Sequence, residues 1–235
     1  MNTLLLRFSR YDCWKRSHDI KCIVQYTNIK AMNNPTEEAY TELQKAYDFF
    51  NHALFENKLP PCLITLQRKA RTYGYFSPRR FEHTQIGTLV DEISMNPDHF
   101  KTESLPKILS TLVHEMVHLQ QAYNGTPSRR GYHNKEWSNI MQSIGLIPSD
   151  TGKPGGNPIG QHMSHYIELD GKFEKTCQSL IKSGFKLSWA DKFGYQKTEK
   201  SIGRLKYTCS SCKLNAWAKP DILLICGACQ QTLIS

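Results

Sequence analysis

Residues 104–123 read SLPKILSTLVHEMVHLQQAY. Within this stretch, apolar residues recur every three or four positions from Ile108 to Leu119, which is the period of one face of an α-helix. We therefore predict one long helix that begins near Ser104–Pro106 and ends at about Tyr123.

The centre of this helix carries a metal-binding pattern, HEMVH, at residues 114–118. Residues four apart lie on one helix face, so His114 and His118 can both reach one zinc ion. Glu115 stands beside the first of them, where it can take a proton from a zinc-bound water. A catalytic zinc needs a third protein ligand, and His133, beyond a glycine-containing loop, is the candidate. The alternative is that His114 and His118 are ordinary core or surface histidines of a helix and that His133 is a solvent-exposed loop residue.

Two C-x-x-C pairs near the C-terminus form a second candidate metal site. They are Cys209, Cys212, Cys226 and Cys229. Two such pairs close a tetrahedral zinc site with no open position, so we expect a structural zinc. The intervening KLNAWAKPDILLI predicts two short strands around Pro220, as in a zinc ribbon. The alternative is four free thiols.

The other predicted elements give an α+β pattern. They are a helix over residues 35–54, strands over 62–67, 73–76 and 86–93 with turns at 78–80, a helix over 134–144 that ends at Gly145, and a glycine-rich loop over 151–171. We divide the chain into a poorly ordered N-terminal extension (1–34), a metal-binding domain (35–150), a glycine-rich loop with a basic and aromatic connector (151–207), and a zinc ribbon (208–235). The first 31 residues are a candidate misplaced translation start.

The amino-acid composition argues against a disordered, a membrane-spanning or a secreted protein. Apolar residues make up 39% of the 235 residues, which is enough to form a core. No stretch approaches the roughly 18 apolar residues that a membrane span needs. The first residues contain only Leu4–Leu6 as an apolar run, shorter than a secretory signal requires. We therefore expect a cytoplasmic protein, without a membrane partner, and a secreted peptidase is disfavoured.

The net charge of +9 is unevenly distributed. Residues 1–34 carry +4 and residues 151–208 carry +5, and a basic surface attracts polyanions. Lysines and aromatic residues that alternate after residue 171 could bind phosphates and stack bases. The candidate DNA-binding residues are Lys182, Lys186, Trp189, Lys192, Lys197, Arg204 and Lys206. Alternatively, the aromatic residues only pack a small core beneath solvated lysines.

From residue 35 to the end, the chain resembles the SprT-like (Spartan-like) zinc metalloprotease family. The resemblance rests on HEMVH, on the segment GYHNKEW at 131–137, on the basic connector and on the cysteine pairs. One residue, Tyr132, stands between the glycine and the histidine, a small departure from the family pattern. The resemblance implies a small zincin-like domain in which His114, His118 and His133 bind the catalytic zinc and Glu115 is the base.

The resemblance also implies DNA-associated proteolysis, including of proteins crosslinked to DNA. The expected partners are single-stranded or junction DNA and a DNA-bound protein, in the nucleoid of a bacterium or the nucleus of a eukaryote. Candidate donors to the carbonyl oxygen in the transition state are Tyr132, His165 and Tyr166. A non-proteolytic DNA-binding or regulatory protein is the alternative function. A purely structural metal site has no need of Glu115, so that residue favours the enzyme.

Overall fold

The computed structural model describes residues 34–194 and 203–235, and predictions for residues 1–33 and for Lys197 lie outside these. The helices are α1 (Pro35–Phe55), α2 (Leu105–Asn124), α3 (Lys135–Ser143) and α4 (Lys172–Lys182). The strands are β1 (Leu63–Leu66), β2 (Gly74–Glu82), β3 (Leu89–Met95), β4 (Tyr132–His133), β5 (Leu146–Ser149), β6 (Gly160–Gln161), β7 (Ser164–Ile167), β8 (Leu205–Cys209), β9 (Asn215–Ala218) and β10 (Leu233–Ile234). The α+β class is confirmed. None of the described helices is long and apolar enough to cross a membrane.

The main sheet has three strands in the order β1-β3-β2, with β1 parallel and β2 antiparallel to β3. β2 is therefore an edge strand. The predicted turn at residues 78–80 is wrong, because β2 continues through it with an irregularity in register between Ser77 and Phe81. Arg79 has a φ of 49°, and its N–H donates to the buried Asp91 carboxylate over 2.6 Å. This bond anchors the irregular part of the edge strand to β3.

The long helix α2 forms the centre of the hydrophobic core. Its apolar face buries Leu109, Leu112, Val113 and Met116 almost completely. Full burial of one such side chain contributes about 1.5–3 kcal/mol, so the packing of α2 holds the helix in place. The predicted limits of this helix are confirmed to within two residues.

α4 was not predicted, because residues 172–182 were assigned to the basic connector. Phe173, Cys177 and Leu180 recur at helical spacing and are buried. The Phe173 ring stacks on Phe50 of α1, with ring centroids 5.6 Å apart. The core therefore extends past residue 150. Gly145 permits this packing, since it has a φ of +80° and a Cβ there would lie 2.9 Å from the backbone nitrogen of Lys172.

The C-terminal strands form a separate antiparallel sheet in the order β10-β8-β9. Its small core contains Tyr207, Cys209, Cys226 and Leu233. The segment between the cysteine pairs supplies one strand, β9, where the sequence predicts two. Between Pro220 and Cys226, the described residues form no second strand, and Ile225 makes only an isolated bridge to Thr232.

Candidate metal centre

Three imidazoles converge on one point of the structure. His114 and His118 lie one turn apart on α2, and His133 ends β4. One ring nitrogen from each lies within 4.8 Å of the others, and Nε2 of His118 is 3.0 Å from Nε2 of His133. Tetrahedral zinc with Zn–N bonds of about 2.0–2.1 Å sets its ligand nitrogens about 3.3 Å apart. The donor set therefore fits zinc in both chemistry and spacing.

The environment keeps these imidazoles neutral, as metal coordination requires. Burial is the main cause: together with the adjacent His133, it lowers the pKa of His118 to about 3. Burial also lowers the pKa of His114 and of His133. Nδ1 of His133 donates to the carbonyl of Gly160 over 3.3 Å, which leaves its Nε2 free for a metal.

Glu115 is buried next to the first histidine, with 6% of its surface exposed. Burial raises the pKa of its carboxyl group to about 8, although the Phe76 N–H donates to it and acts in the opposite direction. Gly74, also on β2, lets the strand approach α2, because a Cβ there would lie 3.1 Å from Cγ2 of Thr111 and 3.5 Å from Cγ of Glu115. The edge strand β2 thus lies next to the carboxylate of Glu115.

Trp137 packs against all three histidines. Its ring lies 4.2 Å from that of His133 and edge-on to it, 4.9 Å from that of His114, and stacked at 5.5 Å on that of His118. Trp137 is fully buried, so it fixes the ring orientations from behind. No role is predicted for Trp137 from the sequence, although it ends the GYHNKEW segment on which the family resemblance partly rests.

His165, a candidate transition-state donor, lies on β7 behind His114. Its Nδ1 is 3.1 Å from Nδ1 of His114, and its Nε2 is 2.8 Å from Oγ of Ser110. Burial, reinforced by nearby Lys107, lowers the pKa of His165 to about 3. Ser110 is not predictable from the sequence as a partner of His165, because a serine inside an apolar helix carries no signal for a contact 55 residues away.

The other two donor candidates are tyrosines in short strands. Tyr132 precedes His133 in β4 and is half-buried, with the Arg129 guanidinium 5.3 Å from the ring centroid. Tyr166 follows His165 in β7 and is also half-buried. Successive side chains of a strand point to opposite faces, so Tyr166 faces away from the side on which His165 meets His114.

The four cysteines also come together, with one sulfur from each within 4.8 Å of the others. Two matching turns present them: the Lys213 N–H donates to the Cys209 carbonyl, and the Gln230 N–H to the Cys226 carbonyl. The backbone N–H of Cys212 is the main cause that lowers the pKa of Cys209 to about 7. A thiolate is the form that binds metal, so this group fits zinc.

The candidate DNA-binding side chains within the described residues are all exposed: Lys182, Lys186, Trp189, Lys192, Arg204 and Lys206. The indole N–H of Trp189 donates to Glu38 of α1 over 2.8 Å. Nearby, Asp191 pairs with Arg68 over 2.6 Å. The connector is therefore fastened to the domain as far as Gly194, and Trp189 takes part in that fastening.

Comparison with known proteins gives one family and one relative. The model of the SprT-like family matches residues 43–154, which include all three histidines. An uncharacterized protein from the mucB 3′ region of Salmonella typhimurium is 62% identical over 73 residues, covering 31% of this chain and 99% of that protein. No solved structure matches the chain significantly.

Proposed function

This chain belongs to the SprT-like family, and from that premise we propose that it is a zinc-dependent metallopeptidase that hydrolyses protein substrates on DNA. The convergence of the three imidazoles beside a buried glutamate carries the proposal. We further propose a zincin-like architecture, supported by the position of β2 at the sheet edge against the motif helix α2. In the proposal, the histidine site holds one catalytic zinc and the cysteine site one structural zinc.

The mechanism follows from the positions of these side chains. Bound zinc would polarise the scissile carbonyl and lower the pKa of a coordinated water. His114, His118 and His133 would hold the metal with their neutral imidazoles. The Trp137 ring packs against all three and excludes water from that side of the site. Glu115 accepts the proton of the attacking water at its carboxylate and delivers it to the leaving amine. The Phe76 N–H that bonds to this carboxylate keeps it oriented.

We propose DNA as the partner that brings the enzyme to its substrate. The support is the charge of +5 on residues 151–208 and the exposure of the connector lysines. Lys182, Lys186 and Lys192 are candidates for phosphate contacts. The indole N–H of Trp189 bonds to Glu38 and holds the ring at the domain surface, where its exposed part could stack on a base. Single-stranded or junction DNA carrying a bound or crosslinked protein is the substrate class, in a nucleoid or a nucleus.

The test compares the wild-type protein, Glu115→Gln and Glu168→Gln. Glu115→Gln preserves the size of the side chain but cannot accept the proton, whereas Glu168→Gln removes an exposed carboxylate and is the matched control. Each protein is incubated with a DNA-binding protein, with and without single-stranded DNA, and cleavage is followed by gel electrophoresis. Zinc content is measured in parallel.

We expect Glu115→Gln to keep zinc and to lose cleavage, while Glu168→Gln cleaves like the wild type. Loss of about 10²-fold or more is typical of removing a general base. Cleavage by Glu115→Gln at the wild-type rate would refute the assigned role. No cleavage by the fully zinc-loaded wild type under any DNA condition would instead favour a non-proteolytic DNA-binding protein.

A further inference from the structure

A chain of hydrogen bonds connects the backbone of α2 to the first metal-binding imidazole. Oγ of Ser110 donates to the carbonyl of Lys107 over 2.8 Å. Nε2 of His165 lies 2.8 Å from the same hydroxyl, and Nδ1 of His165 lies 3.1 Å from Nδ1 of His114. Only 5% of His165 is exposed.

The direction of each bond in this chain follows from the one before it. The carbonyl of Lys107 can only accept, and we take the single proton of the Ser110 hydroxyl to lie on the 2.8 Å bond to it, because the opposite direction would leave a proton on the nitrogen of His114 that must bind the metal. The hydroxyl oxygen must then accept from Nε2–H of His165. A neutral imidazole carries one N–H, so Nδ1 of His165 has a bare lone pair and accepts from Nδ1–H of His114. The remaining nitrogen of His114, Nε2, is left bare.

We propose that His165 is a positioning residue that fixes the tautomer and ring orientation of His114, with Ser110 setting the direction of the hydrogen bonds. This inference deepens the proposed function and rests on the metal site assigned there. A ligating histidine commonly donates its second N–H to a carboxylate or a backbone carbonyl, as His133 does to Gly160. A neutral imidazole in that role orients the ligand without adding negative charge.

The same geometry excludes His165 from direct contact with a substrate oxygen. Both of its ring nitrogens are engaged, and its only N–H points at Ser110 rather than into the site. Its effect on catalysis is therefore exerted through His114. In this proposal His165 is a positioning residue and not a donor to the carbonyl oxygen in the transition state.

Two substitutions of His165 separate hydrogen bonding from packing. In His165→Asn, the amide oxygen can take the position of Nδ1 and still accept from His114. In His165→Gln, the amide lies at the position of Nε2, so it reaches Ser110 but leaves the N–H of His114 without its acceptor. A third variant, Ser110→Ala, keeps His165 in place and removes only the group that directs its proton.

The measurements follow the His114 imidazole by long-range ¹H–¹⁵N spectra, first without zinc and then during a zinc titration against a competing chelator. The zinc-free spectrum reports the tautomer directly. Because the readout is the imidazole itself, the cysteine site does not interfere. Circular dichroism of each variant establishes that it is folded.

We expect the wild type and His165→Asn to show the Nδ1–H tautomer and similar zinc affinities. His165→Gln should show mixed tautomers and bind zinc about 10–100-fold more weakly, the usual effect of losing such a partner. Ser110→Ala should also mix the tautomers. If His165→Asn and His165→Gln weaken zinc equally, or if Ser110→Ala keeps a pure Nδ1–H tautomer, the proposal is overturned. Neither result depends on peptidase activity, so failure of the proposed function would be seen separately.

Discussion

Gly74 on β2 lies in close contact with both the neighbouring strand β3 and the motif helix α2, and this packing gives a quantitative prediction. A Cβ at this position would lie 2.8 Å from the backbone oxygen of Ser94 and 3.1 Å from Cγ2 of Thr111. Ordinary contact begins at 3.4 Å, so Gly74→Ala must open the gap to Ser94 by roughly 0.6 Å. Backbone of β3 forms one side of this gap, and it cannot rotate away as a side chain could.

The cost of Gly74→Ala can be estimated from this displacement. Overpacking of a close-packed interior costs about 1–3 kcal/mol. For a protein of 150–250 residues, each kcal/mol corresponds to about 2–4 °C in the unfolding midpoint. We therefore expect a loss of roughly 2–12 °C. Since α2 carries Glu115, a shift of several tenths of an ångström should also reduce peptidase activity about 10-fold, as a 1 Å misplacement costs about 10²-fold.

The assay is thermal unfolding followed by circular dichroism, with zinc content and cleavage measured on the same samples. Gly203→Ala is the matched control, because a Cβ there meets nothing within 4 Å. Zinc content should be unchanged in Gly74→Ala, since His114 and His118 move together with α2 and the Gln121–Asn134 hydrogen bond ties the segment beside His133 to the same helix. If both glycine variants unfold at the wild-type temperature, the close approach at Gly74 does not constrain the fold and the reasoning is refuted.

Two further predictions concern groups away from the histidine site. Burial raises the pKa of the Cys62 thiol from 9.0 to about 12, so the folded chain keeps a proton that the unfolded chain releases, and the free energy of unfolding falls as pH rises through this range. Urea titrations of the wild type and Cys62→Ala measure it, and an equal pH dependence in both would contradict the burial argument. Cys226→Ser removes one buried cysteine of the proposed structural zinc site. We therefore expect zinc content to fall by one ion and the amide protons of β8–β10 to lose protection, while the histidine site still binds zinc. Loss of both ions together would show that the two sites are not independent.

The elements that the sequence predicts well are those with a strong local signal. α2 has an unbroken apolar period, and α3 has Asn134 at its N-cap and Gly145 after its end. α4 has a short apolar face of Phe173, Cys177, Leu180 and Ile181, and the lysines between these residues give the segment the composition of a basic connector. Pro78 likewise favours a turn, yet pairing with β3 resumes at Phe81, so β2 continues beyond the irregularity.

In the candidate site, too, only the features with a local signal in the sequence are predictable. The spacing of four between His114 and His118 predicts their shared face from helix geometry alone. The contacts of His165 with His114 and Ser110 link β7 to α2 across 51 and 55 residues. Their pairing depends on how β5 and β7 pack beside α2, which no local pattern in the sequence encodes.

The position of His133, the third candidate ligand, is explained by its neighbour Asn134. The side-chain Oδ1 of Asn134 accepts from the backbone N–H of Trp137 over 3.0 Å and from Nε2 of Gln121 over 2.8 Å. This one atom therefore caps α3 and ties it to α2. Its Nδ2 donates to the Thr126 carbonyl in the preceding loop. His133 is therefore held between a fixed backbone and the ring of Trp137, although it lies outside α2. Short polar residues at an N-cap usually satisfy only the helix end; here the cap also sets where the third imidazole meets the other two.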